Sequence, residues 1–436
     1  MDSYALQSYE YDLPSELIAS YPASPRESAR LLIYERASKK ITHSSFKNLF
    51  KFIPPSTTII LNDTRVLKAR IYGTRLGKIP AQNPLSKNDK ANNKTQDKSQ
   101  NQSSGGKREI LFHRFISKDE VLQEVSQDKN LAEILSQSQV DFCALCQTKG
   151  KLKNGDIIAL EKGYEARVLA TLPNGYKVIA FFYQQKQCTQ YEVIKMLETI
   201  GHIPLPPYIK REDSPLDESQ YQTVFATQNG SIAAPTASLH FSKSMLKELC
   251  LRFSTATLTL HIGAGTFAPV VSEDIRLHKM HKEWLSIPPK TQEAIKNASK
   301  ILCVGSSSMR SVECYARALT NALNITQKEV AQKSAQNEQK SQHLSSDFTN
   351  DFAGEVASDF TLDFTSDFQM QCDIFLHPQN PPIKTDFLLT NFHLPKSTLI
   401  MLVASMVGLD EWRKIYNEAI AQKYRFYSYG DAMLIL

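Results

Sequence analysis

The sequence predicts an α/β main domain of mixed α+β character, assembled from both ends of the chain and interrupted by a small β-barrel. Three observations carry this. Residues 66–182 hold six short strand candidates in succession (ARIYGTR, REILFHRF, VDFCALC, DIIALEKG, YEARVLATL and YKVIAFF) with no helical pattern between them, the spacing of a barrel. Residues 1–65 and 183–436 instead alternate strand and helix patterns, the mark of a layered α/β unit. With 436 residues, 42% of them hydrophobic, the chain is long enough for two or three domains with real cores.

Each element has a local reason. In the barrel segment, KNGD at 153–156 and PNG at 173–175 are turn signals between strands. In the α/β part, LLIYER and TTIILND are apolar strands. SKSMLKELCL is a helix with Ser242 as N-cap and Phe241 against Leu246 as a hydrophobic staple; it feeds the strand STATLTLHI. SKILCVG is a strand leading into the helix SMRSVECYARAL. The longest apolar run, LIMLVASMV at 399–407, is less than half a membrane span. It predicts a buried helix capped by Ser397, with Pro395 outside it and Gly408 closing it.

Two segments carry too little apolar surface to offset ordering entropy. Residues 85–108 have Leu85 as their only large apolar side chain, with six basic and two acidic residues. Residues from about 325 to 371 repeat Asp-Phe at 347, 351, 359, 363 and 367 and read as a solvated insertion or a weak partner-docking strip. The net charge of +6, from 51 basic and 45 acidic side chains, is compatible with a polyanionic partner without demanding one. Seven irregularly spaced cysteines argue against a disulfide framework and for a reducing cytosol. Cys143-x-x-Cys146, without a second pair, reads as incidental. The N-terminal segment is acidic and lacks an apolar core region, so no secretory leader is expected and the location expected is cytoplasmic.

Four stretches look chemical. In LTLHIGAGTFAPV, residues 258–270, Leu258, Leu260 and Ile262 point one way and His261 the other, onto the polar face at the strand's exit. A dinucleotide fingerprint wants a third glycine and an immediate helix. Here Gly263 and Gly265 are followed by Thr266 and, soon after, Pro269, which favours extended chain and argues against a Rossmann turn. GSIAAPTASLHF, with Thr236, is a loop of small residues that a ligand can approach, and His240 lies just before a helix, where the dipole favours a neutral imidazole. In ILCVGSSSMRSVE, Ser306, Ser307 and Ser308 open a helix with Arg310 in its first turn, a set suited to a carboxylate or phosphate. In LLTNFHLPKSTL, Asn391 and His393 sit at a strand–helix junction, where α/β sites are built. For each histidine a purely structural hydrogen bond is the competing reading.

Smaller clusters add Asn62, Asp63 and Arg65 in LNDTRV, and His278, His281 and Glu283 in HKMHKEW. HxxH without a third spaced ligand is a poor zinc motif, so no metal is expected. YRFYSYGDAMLIL sets arginine among tyrosines, which suits base stacking or ordinary sheet packing.

Together these stretches resemble the QueA family, the S-adenosylmethionine:tRNA ribosyltransferase-isomerases of queuosine biosynthesis. The resemblance lies in YDLPSELIASYPASPRESARLL, LNDTRVLKAR, IPLPPYIKREDS, YQTVFA, GSIAAPTASLHF, LTLHIGAGTFAPV, MHKEW, TNFHLPKSTLIMLV and YRFYSYGDAMLI, in family order across nearly the whole chain. It implies transfer and isomerisation of the ribosyl moiety of S-adenosylmethionine onto 7-aminomethyl-7-deazaguanine at the tRNA wobble position. Epoxyqueuosine-tRNA, adenine and methionine result. It also implies a cytoplasmic monomer without metal or prosthetic group, with S-adenosylmethionine as substrate and tRNA as partner. The candidate proton-transfer groups are His240, His261, His281 and Glu283. Arg310 with Ser306–308 would bind the methionine carboxylate, while Asn62, Asp63, Arg65, Thr236, Gly263, Gly265, Thr266, Asn391 and His393 would surround substrate. Lys210, Arg211, Lys396 and Arg425 are the candidate tRNA contacts. The chain departs from the family at Ser306–308, which replace a threonine-rich loop, at Phe142, which stands for a barrel tryptophan, and at 375–386, which replace a Tyr-Pro-Gly loop. A methyltransferase would use the same donor but needs GxGxG entering a helix; a non-catalytic tRNA-binding protein would need charge but no clustered histidines.

Overall fold

The computed structural model describes residues 2–78, 106–124, 142–267, 269–322 and 366–436. The chain divides into two units: Met1–Thr64 with Thr223–Gln228 and Ala234–Leu436, and Arg65–Gln222 with Asn229–Ala233. The second unit therefore runs to 222 rather than ending at 182. It takes with it the helix Gln190–Ile200, which opens on a capping box between Thr189 and Glu192 and buries Val193, Met196, Leu197 and Ile200.

The first unit is built on a mixed nine-stranded sheet. Its order is Phe368–Cys372, Glu283–Ile287, Ser254–Leu260, Thr57–Asn62, Lys300–Val304, Phe387–Asn391, Ala432–Ile435, Arg30–Glu35 and Lys40–Ser45. The four strands from Ser254–Leu260 to Phe387–Asn391 run parallel. Parallel strands are covered on both faces and therefore read as continuous apolar runs. Thr57–Asn62 is buried at all six positions, and so, unexpectedly for a polar-face residue, is Thr259. One face of the sheet packs Leu31, Ile59, Leu61, Leu302 and Leu389 against Phe46, Phe241, Met245 and Leu249. The last two lie on the helix Lys243–Arg252, whose cap Ser242 accepts the Met245 N–H at 3.3 Å. The run at 399–407 forms the buried helix Thr398–Val407, capped by Ser397 and closed by Gly408 at φ 87°, a left-handed conformation that glycine adopts without penalty.

The Asp-Phe segment needs a correction. Phe368–Cys372, the end of the expected insertion, is an edge strand paired with Glu283–Ile287, and Asp367 accepts the Ser286 hydroxyl at 3.0 Å. Its β-branch-poor sequence hides a strand that exists only because a partner edge is present. The other four repeats lie outside the described residues, as do 85–105. Lys107 and Arg108, expected in that solvated segment, begin the strand Lys107–Ser117.

In the second unit six strands close on themselves, in the order Lys177–Tyr183, Phe142–Lys149, Lys107–Ser117, Arg70–Lys78, Asp156–Leu160 and Tyr164–Thr171, the last pairing back with the first. Closure removes free edges. The inward face buries Ile71, Ile110, Phe112, Ile158, Val168 and Phe181, and a second cluster of Ile116, Cys143, Val178, Ala180 and Phe182 packs with Val121 of the helix Lys118–Glu124. Cys143 and Cys146 are both buried in the barrel and unpaired, and burial pushes the Cys143 thiol up to about 12. Apolar packing, not reactivity, accounts for the pair.

Candidate active site

Open α/β sheets place ligands at the carboxyl ends of their parallel strands, where the strand order reverses. Here Thr57–Asn62 is flanked by Ser254–Leu260 on one side and by the later strand Lys300–Val304 on the other, so the chain crosses over beside Asn62. Asn62, His261 and Ser306–308 of the sequence candidates lie at those strand ends.

Asn62 locks the ends together. Its amide donates to the Leu260 carbonyl at 3.0 Å and to Ser307 Oγ at 3.1 Å, and its carbonyl accepts the Leu260 N–H at 3.1 Å. Asp63 accepts the hydroxyls of Thr259 at 2.7 Å and Thr227 at 3.0 Å. Both residues are committed to the frame. Arg65 is exposed and belongs to the other unit.

His261 follows directly on Leu260. Its Nδ1 lies 2.8 Å from Thr64 Oγ1, and its ring stacks on Trp284 at 5.0 Å and 21°. Burial pushes its pKa down to about 4, so the ring is neutral at physiological pH. Trp284 and Thr64 were absent from the sequence candidates. Trp284 follows Glu283 in MHKEW, and strand alternation alone puts it on the face opposite that carboxylate.

Glu283 and Arg310 form a buried pair. Glu283 Oε1 accepts the Gly263 N–H at 2.9 Å and the Thr266 hydroxyl at 3.4 Å, while Oε2 takes Arg310 Nη1. Burial works against the guanidinium charge, but Glu283 outweighs it and the Arg310 pKa is raised. The Nε and Nη2 groups of Arg310 are buried and have no hydrogen-bond partner among the described residues, an arrangement that costs free energy unless an acceptor meets them. The serines expected beside Arg310 do other work. Ser307 accepts from Asn62, and Ser308 donates to the Val304 carbonyl at 2.8 Å; Ser306 is half-buried at the start of the helix 306–322.

The glycines lie at a single 3-10 turn, Ala264–Phe267, and among the described residues no Rossmann helix follows it. A Cβ at Gly265 would overlap the His281 imidazole. That glycine makes room for a side chain of the protein. His281 itself is exposed.

His240 and His393 are deeper. Asn391 donates to His240 Nε2 at 3.2 Å and accepts the Thr236 hydroxyl at 2.8 Å, and the His240 ring packs on Phe46 at 5.0 Å. His393 Nε2 lies 2.8 Å from Thr390 Oγ1. Burial depresses His240 to about 4 and His393 to about 3. Their burial and hydrogen bonds fit the structural reading that competed with catalysis.

Depressed histidines make stability depend on pH. Between about pH 6.5 and 4 the unfolded imidazoles bind protons that the folded ones refuse, so stability falls as pH falls through that window. Each histidine contributes up to about 1.4 kcal/mol per pH unit. We expect the Tm to drop steeply from pH 6.5 to 4.5, and substitution of His240 by glutamine to flatten that slope. A Tm independent of pH there would remove the buried neutral state.

The tRNA candidates fare differently. Arg211 forks onto buried Asp217 at 2.7 and 2.8 Å, Arg425 pairs with Asp431 at 3.0 Å, and Lys396 pairs with Glu10 at 2.8 Å. Lys210 is exposed. The C-terminal tyrosines Tyr427 and Tyr429 are buried, which fits sheet packing rather than base stacking. In the departing loop at 375–386, buried Glu313 accepts the N–H groups of Ile383, Lys384 and Thr385 at 2.6–3.0 Å, so the loop is held by its own carboxylate nest.

A model of the queuosine biosynthesis protein family matches residues 6–435. The chain is 41% identical over 436 residues to the S-adenosylmethionine:tRNA ribosyltransferase-isomerase of Helicobacter pylori (strain Shi470), covering 100% of both. It is 40% identical over 432 residues to the protein of that name from Campylobacter jejuni (strain 81-176), covering 99% of this chain and 98% of the relative. A crystal structure of an S-adenosylmethionine tRNA ribosyltransferase from Thermotoga maritima is a distant likeness, at 21% identity and a TM-score of 0.43 over 98% of this chain and 100% of that one. The chain therefore belongs to the queuosine biosynthesis family of S-adenosylmethionine:tRNA ribosyltransferase-isomerases.

Proposed function

We propose that this chain moves the ribosyl group of S-adenosylmethionine onto the aminomethyl group of 7-aminomethyl-7-deazaguanine at the tRNA wobble position, leaving an epoxycyclopentane and releasing adenine and methionine. The observation that carries the residue roles is the presence, past the carboxyl ends of strands in one sheet, of a neutral histidine and a buried guanidinium with two unpartnered N–H groups.

The donor's sulfonium acidifies the ribose carbon bonded to sulfur. A base must take that proton, and His261 is our assignment. The role requires Nδ1–H to donate to Thr64 Oγ1, leaving Nε2 unprotonated, with Trp284 fixing the ring plane. The electron pair left on carbon is stabilised by the adjacent positive sulfur, so the chemistry calls for no metal and no prosthetic group. Arg310 is assigned to the methionine carboxylate through Nε and Nη2, a pair of parallel donors matched to two oxygens. Glu283 holds the guanidinium in place. Gly263 and Thr266 border that pair, and half-buried Ser306 lies one helical turn before Arg310, whereas Asn62, Asp63, Thr236, Asn391 and His393 set the frame.

Seven unpaired cysteines suit a reducing compartment, and we place the protein in the cytoplasm as a monomer. Among the described residues no helix is long and apolar enough to cross a membrane.

The deciding assay incubates the protein with S-adenosylmethionine and tRNA carrying the aminomethyl-deazaguanine. Free adenine and methionine with a ribosyl mass gain on the tRNA are expected. S-adenosylhomocysteine would mean methyl transfer, and binding without turnover would mean a non-catalytic RNA-binding protein.

A further inference from the structure

The chain's charge is not evenly spread. Residues 65–222 hold 24 Lys+Arg against 18 Asp+Glu, a surplus of 6 that equals the net charge of the whole protein. The remaining residues, which make up almost all of the α/β unit, balance to zero. A positive field confined to one unit is the electrostatic footprint of a polyanion contact.

One outer face of the barrel carries part of this charge around an aromatic ring. Side chains alternate in and out along each strand, and the registers Tyr72↔Glu109↔Lys149 and Thr74↔Lys107 align one face across three neighbouring strands. Lys107 Nζ lies 3.8 Å over the Tyr72 ring, and His202 meets the edge of that ring at 5.1 Å. Glu109 is shared between Arg70 at 3.3 Å and Lys149 at 3.1 Å, so this acid is already outnumbered. The Lys149 side chain is 77% exposed, and Lys78, Lys107, Lys151 and Lys153 of the same unit are exposed too. Asp213, bound to His202 at 3.0 Å, and Glu212 also act on the Tyr72 ring together with Arg70 and Glu109, so the surplus is that of the unit as a whole.

We propose that this barrel face, centred on Lys107, Tyr72 and Lys149, is where the protein grips the phosphate backbone of its tRNA. It rests on the tRNA reading above and extends it to a surface that the sequence motifs did not reach. The lysines supply sequence-independent phosphate contacts, and Tyr72 offers an amphipathic ring to ribose or an unstacked base. Such contacts release counterions, so their signature is salt dependence.

The test uses the full chain and an unmodified tRNA transcript. Lys107→Ala, Lys149→Ala and Lys151→Ala combined should weaken binding about tenfold or more at 0.1 M salt. The slope of log affinity against log salt should fall by about 2 to 3, close to 1 per phosphate contact removed. The KM for modified tRNA should rise in step, with kcat and the KM for S-adenosylmethionine unchanged. The triple Lys→Arg variant should keep the wild-type slope, which separates charge loss from a damaged barrel. A wild-type slope and KM in the alanine triple overturn the proposal, and so does a reduced slope with unchanged KM, since that marks incidental RNA binding. Absence of ribosyl transfer by the wild-type protein would instead overturn the reaction, and the salt slope would still report on docking.

Discussion

Replacing His261 with alanine is expected to lower kcat by about a hundredfold or more, the usual scale for a general base. The His261→Ala protein should stay folded, because the ring sits at a strand exit and makes one hydrogen bond and one stacking contact. The pH dependence supplies a sharper criterion. Burial sets the imidazole near 4, so a base at this position is already deprotonated at pH 6 and turnover should be flat from there to pH 8. An acid limb near pH 6.5, the value of an unperturbed imidazole, would take proton abstraction away from His261. Thr64→Val should reproduce part of the loss, since it removes the group that sets the tautomer, with kcat rather than KM affected. His240→Ala, by contrast, deletes a ring packed on Phe46 and bonded to Asn391. Any loss there should appear first in thermal stability, and Asn391→Ala should share it.

The second large effect belongs to Arg310. Arg310→Met leaves Glu283 buried with only the Gly263 N–H and the Thr266 hydroxyl as partners, and breaking a buried pair on one side costs about 3–5 kcal/mol. The variant should melt several degrees lower and lose most of its affinity for S-adenosylmethionine. Replacing both members, Arg310→Met with Glu283→Leu, removes the stranded charge and should recover much of the stability. Turnover should not recover with it. Stability regained together with wild-type KM for the donor would show that the pair is structural and would cancel the carboxylate assignment.

Much of the fold was legible before any coordinates. Six barrel strands and the strands and helices of the α/β unit follow from apolar runs bounded by Asn-Gly turns and serine caps, signals contained within about ten residues. The strand Phe368–Cys372 was not, because it pairs with Glu283–Ile287 across 81 residues of sequence, the separation of Ser286 and Asp367. The end of the barrel unit at 222 was missed for a related reason, since the helix Gln190–Ile200 is amphipathic whichever unit it packs on.

The site divides along the same line. Local chemistry in the sequence was enough to nominate His261, Glu283, Arg310 and Asn62, and the order of motifs was enough to identify the reaction family. Which of four proton-transfer candidates remains neutral with a defined tautomer, and which acid is tied to which base, depends on pairs 27 and 197 residues apart, Glu283 with Arg310 and Thr64 with His261. So does the meaning of Gly265, whose missing Cβ accommodates His281. Sequence by itself determined the elements, the residue types and the family, because propensity, capping and motif order are properties of short segments. Tertiary structure decided the surroundings on which the proposed roles rest, because burial, pairing and hydrogen-bond direction exist only where distant segments meet.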